Sequence, residues 1–104
     1  MVVEIEIDAE LEGLWRDRMS RQINFKFASA ATSVRLLNAR LVVANEADSP
    51  LYTCEMEARL RNGERRSVET QGLHPNICIA DAAARLARSI RRDQLFSPVG
   101  QAVR

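Results

Sequence analysis

The chain has 104 residues and a formal net charge of +1, with 46% hydrophobic and 28% charged residues. That length is enough for one domain with one modest core, and no apolar run approaches the ~18 residues that a membrane-spanning helix needs. The N-terminus shows no basic segment followed by an apolar one, so we expect no secretory signal, no membrane partner and a cytoplasmic location.

A strand and a helix are predicted first. Val3, Ile5 and Ile7 alternate with acidic residues, which is typical of a half-buried strand. Asp8 can cap a helix that begins near Ala9. The predicted buried side of this helix consists of Leu11, Leu14, Trp15, Met19 and Phe25. Ile23 and Phe27 are candidates to complete the packing from a different angle. Because its aromatic residues have core spacing, we do not predict that they stack on nucleic-acid bases.

Three antiparallel strands are predicted next. The first covers 35–45, and in the second, which is the clearest, Cys54, Met56, Ala58 and Leu60 alternate with charged residues. Asn62-Gly63 then predicts a hairpin with a type I′ turn, because both residue types tolerate a positive φ. The return strand covers 64–71, with Val68 and Thr70 as core candidates.

The final predicted helix covers 77–92, follows Pro75 and has two different sides. Its apolar side, which we expect to pack on the sheet, is formed by Ile79, Ala83, Leu86 and Ile90. The opposite side carries Arg85, Arg88 and Arg92, with Arg91 beside them and Asp81 as the only acid. A row of arginines suits an RNA backbone, but it also suits a solvated face whose cations favour the C-terminal end of the helix dipole.

The element order predicts an α+β fold, β-α-β-β-β-α, in a single domain. Each helix has one apolar side, so both helices are expected on one face of a four-stranded sheet. We assign residues 1–92 to this domain and expect residues 93–104, which contain Pro98 and Gly100, to form a short flexible tail.

Catalytic and metal-binding chemistry is not expected. His74 is the single histidine, and the common nucleophile, zinc-protease and phosphate-loop motifs are missing. Cys54 and Cys78 lack the CxxC spacing of zinc sites, and we expect both to be small buried hydrophobes. The sequence therefore predicts no enzyme, no cofactor, no metal ion and no small-molecule substrate.

Charge is segregated along the chain. The first 12 residues carry five acidic side chains and no basic one, whereas the rest carry 15 basic against nine acidic side chains. If the two helices adjoin, their basic segments form one broad surface that could contact phosphates by shape and charge.

The order of elements, the Asn62-Gly63 hairpin and the closing helix together resemble the ribosome hibernation-promoting factor family, which includes the ribosome-associated inhibitors and sigma-54 modulation proteins. The most specific stretch is 78–92, which resembles the final helix of the family and its basic-Leu-x-Arg-x-Leu-x-basic ending. The matching positions are Arg85, Leu86, Arg88, Ile90 and Arg92. We expect the short form of the family, and the oligomeric state stays open.

The resemblance implies binding to the rRNA of the small ribosomal subunit. Members of the family occupy the channel used by messenger and transfer RNA, and so inhibit translation during stress or stationary phase. The rRNA-binding residues implied for this chain are Arg85, Arg88, Arg91, Arg92, Lys26 and Arg21.

Two other functions remain open from the sequence. The chain departs from the family pattern at Asn76 and Ala80, which motivates a protein–protein interaction module of the same fold that has lost ribosome binding. The second open function is a double-stranded RNA binder of related topology. Salt separates the first alternative from ribosome binding, because phosphate contacts give a steep dependence of affinity on salt concentration.

Overall fold

A computed structural model describes the backbone of residues 1–46 and 49–102, and the side chains of residues 1–9, 11–44 and 49–92. Within these residues, one sheet is formed by β1 (Val2–Ile7), β2 (Val34–Glu46), β3 (Ser49–Leu60) and β4 (Arg65–Gly72). The two α-helices in the same part of the chain are α1 (Leu14–Lys26) and α2 (Pro75–Ala102). The predicted single-domain α+β fold is confirmed. No helix in the described ranges is long and apolar enough to cross a bilayer.

The strands lie in the order β1-β2-β3-β4. β1 is parallel to β2, while β2 with β3 and β3 with β4 are antiparallel. A parallel pair needs a long crossover connection, and α1 supplies it between β1 and β2. The crossover therefore places α1 over one face of the sheet, beside α2.

One core lies between the sheet and the two helices. Alternating residues of β2 and β3 face it, as the pleat of a strand requires. The buried strand residues are Val34, Leu37, Ala39, Leu41, Cys54, Met56, Ala58 and Leu60. Against them pack Met19 and Ile23 of α1, Phe27 just after it, and the apolar side of α2. The core thus fixes which sides of both helices remain exposed.

The N-terminal end of α1 differs from the prediction. A helix beginning near Ala9 is wrong, because residues 9–11 form only a short 3-10 turn and α1 begins at Leu14. Gly13 separates the two with φ +93° and ψ −97°, a conformation that is open to glycine and strained for other residues. Asp8 makes no side-chain cap, and its carboxylate instead accepts the backbone N–H of Val43 at 3.0 Å.

The β3–β4 hairpin occurs where it was predicted, but its turn is of another type. Leu60 N–H donates to Glu64 O at 2.8 Å, and Gly63 N–H donates to Leu60 O at 3.0 Å. Three residues therefore lie in the loop, with Gly63 at φ +93°, which is the three-residue turn with a glycine bulge. Asn62 stabilises it by accepting the Glu64 N–H at 2.9 Å through its side chain.

The final helix begins at Pro75, where the missing N–H of proline costs nothing, and extends to Ala102. The backbone of the ten residues 93–102 is therefore helical, in contrast to the predicted loose tail. No residue of 93–97 breaks a helix, and Pro98 is the first that opposes one. The division of the chain at Arg92 stays a prediction, and Val103 and Arg104 lie outside the described residues.

Candidate nucleic-acid interface

The basic side of α2 is exposed along its whole described length. Ile79, Leu86 and Ile90 are at most 1% exposed, so the helix has one fixed buried side. The arginines predicted opposite to it, Arg85, Arg88, Arg91 and Arg92, are all exposed. The predicted two-sided character of this helix is confirmed, while the contact of these arginines with RNA stays a prediction.

The four arginines of α2 differ in their partners. Arg85 Nε donates to Asp81 Oδ1 at 3.1 Å, one helical turn earlier, so this guanidinium is already paired. Arg88 and Arg92 have no carboxylate partner among the described side chains. An exposed guanidinium without a partner presents all of its donors to an incoming phosphate.

Arg91 connects the two helices. Its Nη1 lies 3.4 Å from both the carbonyl oxygen of Lys26, at the last residue of α1, and the Ser29 Oγ just beyond. The guanidinium of Arg91 therefore lies beside the C-terminal end of α1, where the helix dipole is negative. As a consequence, the basic side of α2 contacts the C-terminal end of α1 at the backbone of Lys26.

The basic residues of α1 fall into two groups. Arg16 is directed away from α2, because it bonds to Glu12 Oε1 at 2.5 Å and to the carbonyl oxygen of Ile5 at 3.0 Å. This bond lowers the pKa of Glu12 and raises that of Arg16. Arg21 is exposed, and Arg18 lies over the ring of Trp15, 5.1 Å from its centroid. Arg18 and Arg21 thus add basic charge to the exposed side of α1.

Phe25 is an aromatic residue of this region that sequence analysis assigned to the core. Its side chain is 74% exposed, and Ile23 and Phe27 are buried in its place. Lys26 Nζ lies over the Phe25 ring, 5.4 Å from its centroid. A helix register of Met19, Ile23 and Phe27, at spacings of four, would have identified the buried side correctly.

We call these residues of α1 and α2 the helix surface. It comprises Arg18, Arg21, Phe25, Lys26, Arg85, Arg88, Arg91 and Arg92. Asp17 and Asp81 are the acids on the exposed sides of the two helices within the described side chains. All six sequence-predicted residues belong to this surface, and the structure brings Lys26 together with Arg91.

The outer face of the sheet has the opposite charge. A shallow depression on this face is lined by the carboxylates Glu4, Glu6, Glu55, Glu57 and Glu69, and by Arg40. Arg40 lies 3.9 Å from Glu6, and Arg59 lies 3.6 Å from Glu57, so these carboxylates are only partly neutralised. The acidic residues of β1 therefore face away from the helix surface, as predicted from their alternation.

Cys54 and Cys78 are buried and free of a disulfide, as expected of small core residues. Burial raises the pKa of the Cys54 thiol to about 12 and also raises that of Cys78. At neutral pH both are therefore thiols, which are poor nucleophiles and poor metal ligands. His74 is exposed and precedes α2, and its carbonyl oxygen accepts the Cys78 N–H at 3.1 Å.

Solved structures of the same fold exist. The N-terminal domain of Protein Y from Thermus thermophilus matches with a TM-score of 0.70 and 19% identity, over 88% of this chain and 98% of that domain. A ribosomal subunit interface protein from Coxiella burnetii matches with a TM-score of 0.74 and 6% identity, over 91% of this chain and 99% of that one. No protein-family model and no curated protein sequence matches. The predicted resemblance to the hibernation-promoting factor family is thus confirmed at the level of the fold.

Proposed function

We propose that the chain binds rRNA of the small ribosomal subunit through its helix surface and inhibits translation by occluding the channel for messenger and transfer RNA. The partner is a structured RNA with a regular phosphate backbone, so shape and charge are sufficient for recognition. Inhibition follows from occupancy of the channel and requires no chemical step. Stress or stationary phase is the condition in which such inhibition is useful.

The observation that carries the proposal is the meeting of two basic helix sides on one face. Arg88 and Arg92 have no carboxylate partner among the described side chains, and Arg91 joins the end of α1 at Lys26. A surface that spans two helices can contact several phosphates at once, and each contact releases counterions. The name of one matched protein, a ribosomal subunit interface protein, supports a ribosomal partner.

The first test compares two single charge reversals in co-sedimentation with small ribosomal subunits. Arg88→Glu changes the helix surface, whereas Arg65→Glu changes an exposed arginine on the outer face of the sheet by the same charge. We expect Arg88→Glu to reduce binding strongly and Arg65→Glu to leave it near the wild-type level. Equal binding by both variants would contradict the proposal, provided that their thermal midpoints match that of the wild type.

Salt dependence tests the same surface independently. If about five phosphates are contacted, the slope of log affinity against log salt concentration should lie near −3 to −5. Arg88→Glu should make this slope shallower by about one unit, because one phosphate contact is lost. The alternative function, a protein interaction module, predicts a shallow slope in both proteins. A double-stranded RNA binder instead predicts retention on naked duplex RNA without ribosomes.

A further inference from the structure

We infer that Phe25 is a stacking platform for an unpaired nucleobase at the helix surface, a role that rests on the proposed function and adds to it. The phosphate contacts of arginines carry no base preference, whereas an aromatic ring recognises a base that has left a helix. The occupant proposed here is therefore a single-stranded nucleotide of the RNA partner.

The exposure of Phe25 is unusual for its residue type. At 74% it is the largest exposed fraction among the large hydrophobic side chains in the described part of the chain. Leu14, Arg18, Arg21 and Phe25 follow one another at spacings of four, three and four, so they share the exposed side of α1. Phe25 therefore contributes little to the core, although it occupies a well-formed turn of the helix.

The surroundings of Phe25 match a nucleotide. Lys26 Nζ lies 5.4 Å from the ring centroid, and a cation in that position leaves most of the ring open, as the exposed fraction shows. Arg21 precedes Phe25 by one helical turn, and Arg91 bonds to the carbonyl oxygen of Lys26. A base stacked on the ring would thus have Lys26 and Arg21 beside it to contact its phosphates, and a ring with neighbouring cations is the combination that single-strand binding surfaces use.

Two substitutions of Phe25 distinguish stacking from a simple apolar contact. Phe25→Leu keeps an apolar side chain but removes the π-face, and Phe25→Trp keeps a π-face. Ile77→Ala is the matched control, because Ile77 is 61% exposed and lies 14 residues, or about 21 Å of helix, before Arg91. Three probes are used with each protein: small ribosomal subunits, a labelled single-stranded RNA 12-mer and a duplex of the same sequence.

We expect Phe25→Leu to weaken binding to subunits and single strands between about five-fold and one hundred-fold, the range for loss of one stacked base. Duplex binding should stay unchanged. The salt slope should also stay unchanged, because no charge is removed. Phe25→Trp should bind like the wild type, and its added indole fluorescence should be quenched by the RNA. The wild-type signal of Trp15 gives the background.

The outcomes separate this inference from the proposed function. Wild-type affinity of Phe25→Leu for subunits and single strands would overturn the platform and leave the proposed function intact. A wild type that binds single strands through Phe25 but does not bind subunits would support the platform and contradict the proposed function. Equal weakening by Ile77→Ala would show that the loss of affinity is not specific to the ring of Phe25, and it would also overturn the inference.

Discussion

Replacing Asp81 with asparagine should tighten RNA binding while it slightly destabilises the fold. Asp81 accepts the Nε–H of Arg85 at 3.1 Å, and the two side chains are 41% and 57% exposed. An exposed pair at this helical spacing contributes about 0.3–0.5 kcal/mol to stability. Asp81→Asn should therefore lower the thermal midpoint by about 1–4 °C, given the size of the domain.

The effect on binding has the opposite sign. Loss of the carboxylate frees the guanidinium of Arg85 and removes a negative charge from the helix surface. A unit charge about 7 Å from a phosphate costs about 0.6 kcal/mol in water, and roughly half of that at physiological salt. Together with the freed arginine, the gain is about 0.5–1 kcal/mol, which is a two- to five-fold tighter complex.

The measurement is the affinity for small ribosomal subunits as a function of salt, together with thermal unfolding. The slope of log affinity against log salt should become steeper by up to about 0.9, because one more phosphate is contacted. Glu69→Gln is the control, since it removes one exposed carboxylate from the outer face of the sheet. Unchanged or weaker binding by Asp81→Asn, or an equal gain by Glu69→Gln, would refute the reasoning.

Three further predictions concern stability. Phe27→Ala should lower the free energy of unfolding by about 3–5 kcal/mol and Phe25→Ala by well under about 1 kcal/mol in urea unfolding, because only Phe27 is buried. Gly13→Ala should lower the free energy of unfolding by about 1–3 kcal/mol in the same assay, because the φ and ψ of Gly13 suit glycine alone. Gly63→Asn should lower it much less, because asparagine tolerates a turn position with positive φ. Burial raises the pKa of the Cys54 thiol to about 12, so above pH ~9 this thiol ionises in the unfolded protein but not in the folded one. The free energy of unfolding therefore falls by up to ~1.4 kcal/mol per pH unit until pH ~12. Unfolding at pH 8 to 10.5 should show this additional slope in the wild type and not in Cys54→Ala.

Much of the fold could be predicted because two periodicities were unambiguous. In β3, Cys54, Met56, Ala58 and Leu60 alternate with charged residues, and all four are buried. In α2, the apolar side recurs at helical spacing over three turns, so the same pattern also predicted correctly which side carries the exposed arginines. Those two elements determine which face of the sheet is covered and which side of α2 is exposed.

The α1 segment could not be predicted as well, because its sequence supports two registers. Leu14 and Phe25 suggest one buried side, while Met19 and Ile23 suggest another, and the choice depends on where the helix begins. That starting point is set by the backbone conformation of Gly13, for which the sequence offers no signal beyond the glycine itself. Because the predicted start of α1 is wrong, Phe25 is predicted to be buried, and the aromatic part of the helix surface is missed.

The contacts that join the two helices were beyond sequence analysis for a different reason. Arg91 and Lys26 are 65 residues apart, and their meeting depends on how α1 crosses the sheet. The ion pair of Asp81 and Arg85 can be predicted from the sequence, because an acidic residue four positions before a basic one commonly pairs with it on a helix. Local partners can thus be anticipated from spacing, whereas partners between elements need the packing.

Matches at 6% and 19% identity share this fold, so few identical residues are needed to specify it. Surface chemistry is then free to differ between proteins of the same fold, and binding has to be argued from the charges of this chain. Here the helix surface is basic and the opposite face of the sheet carries five carboxylates around Arg40. With a net charge of only +1, attraction to a polyanion depends on orientation: the helices draw phosphates, and the sheet repels them. For the proposed RNA partner, this asymmetry favours an approach in which the helix surface, with Arg88, Arg92 and Phe25, reaches the RNA first.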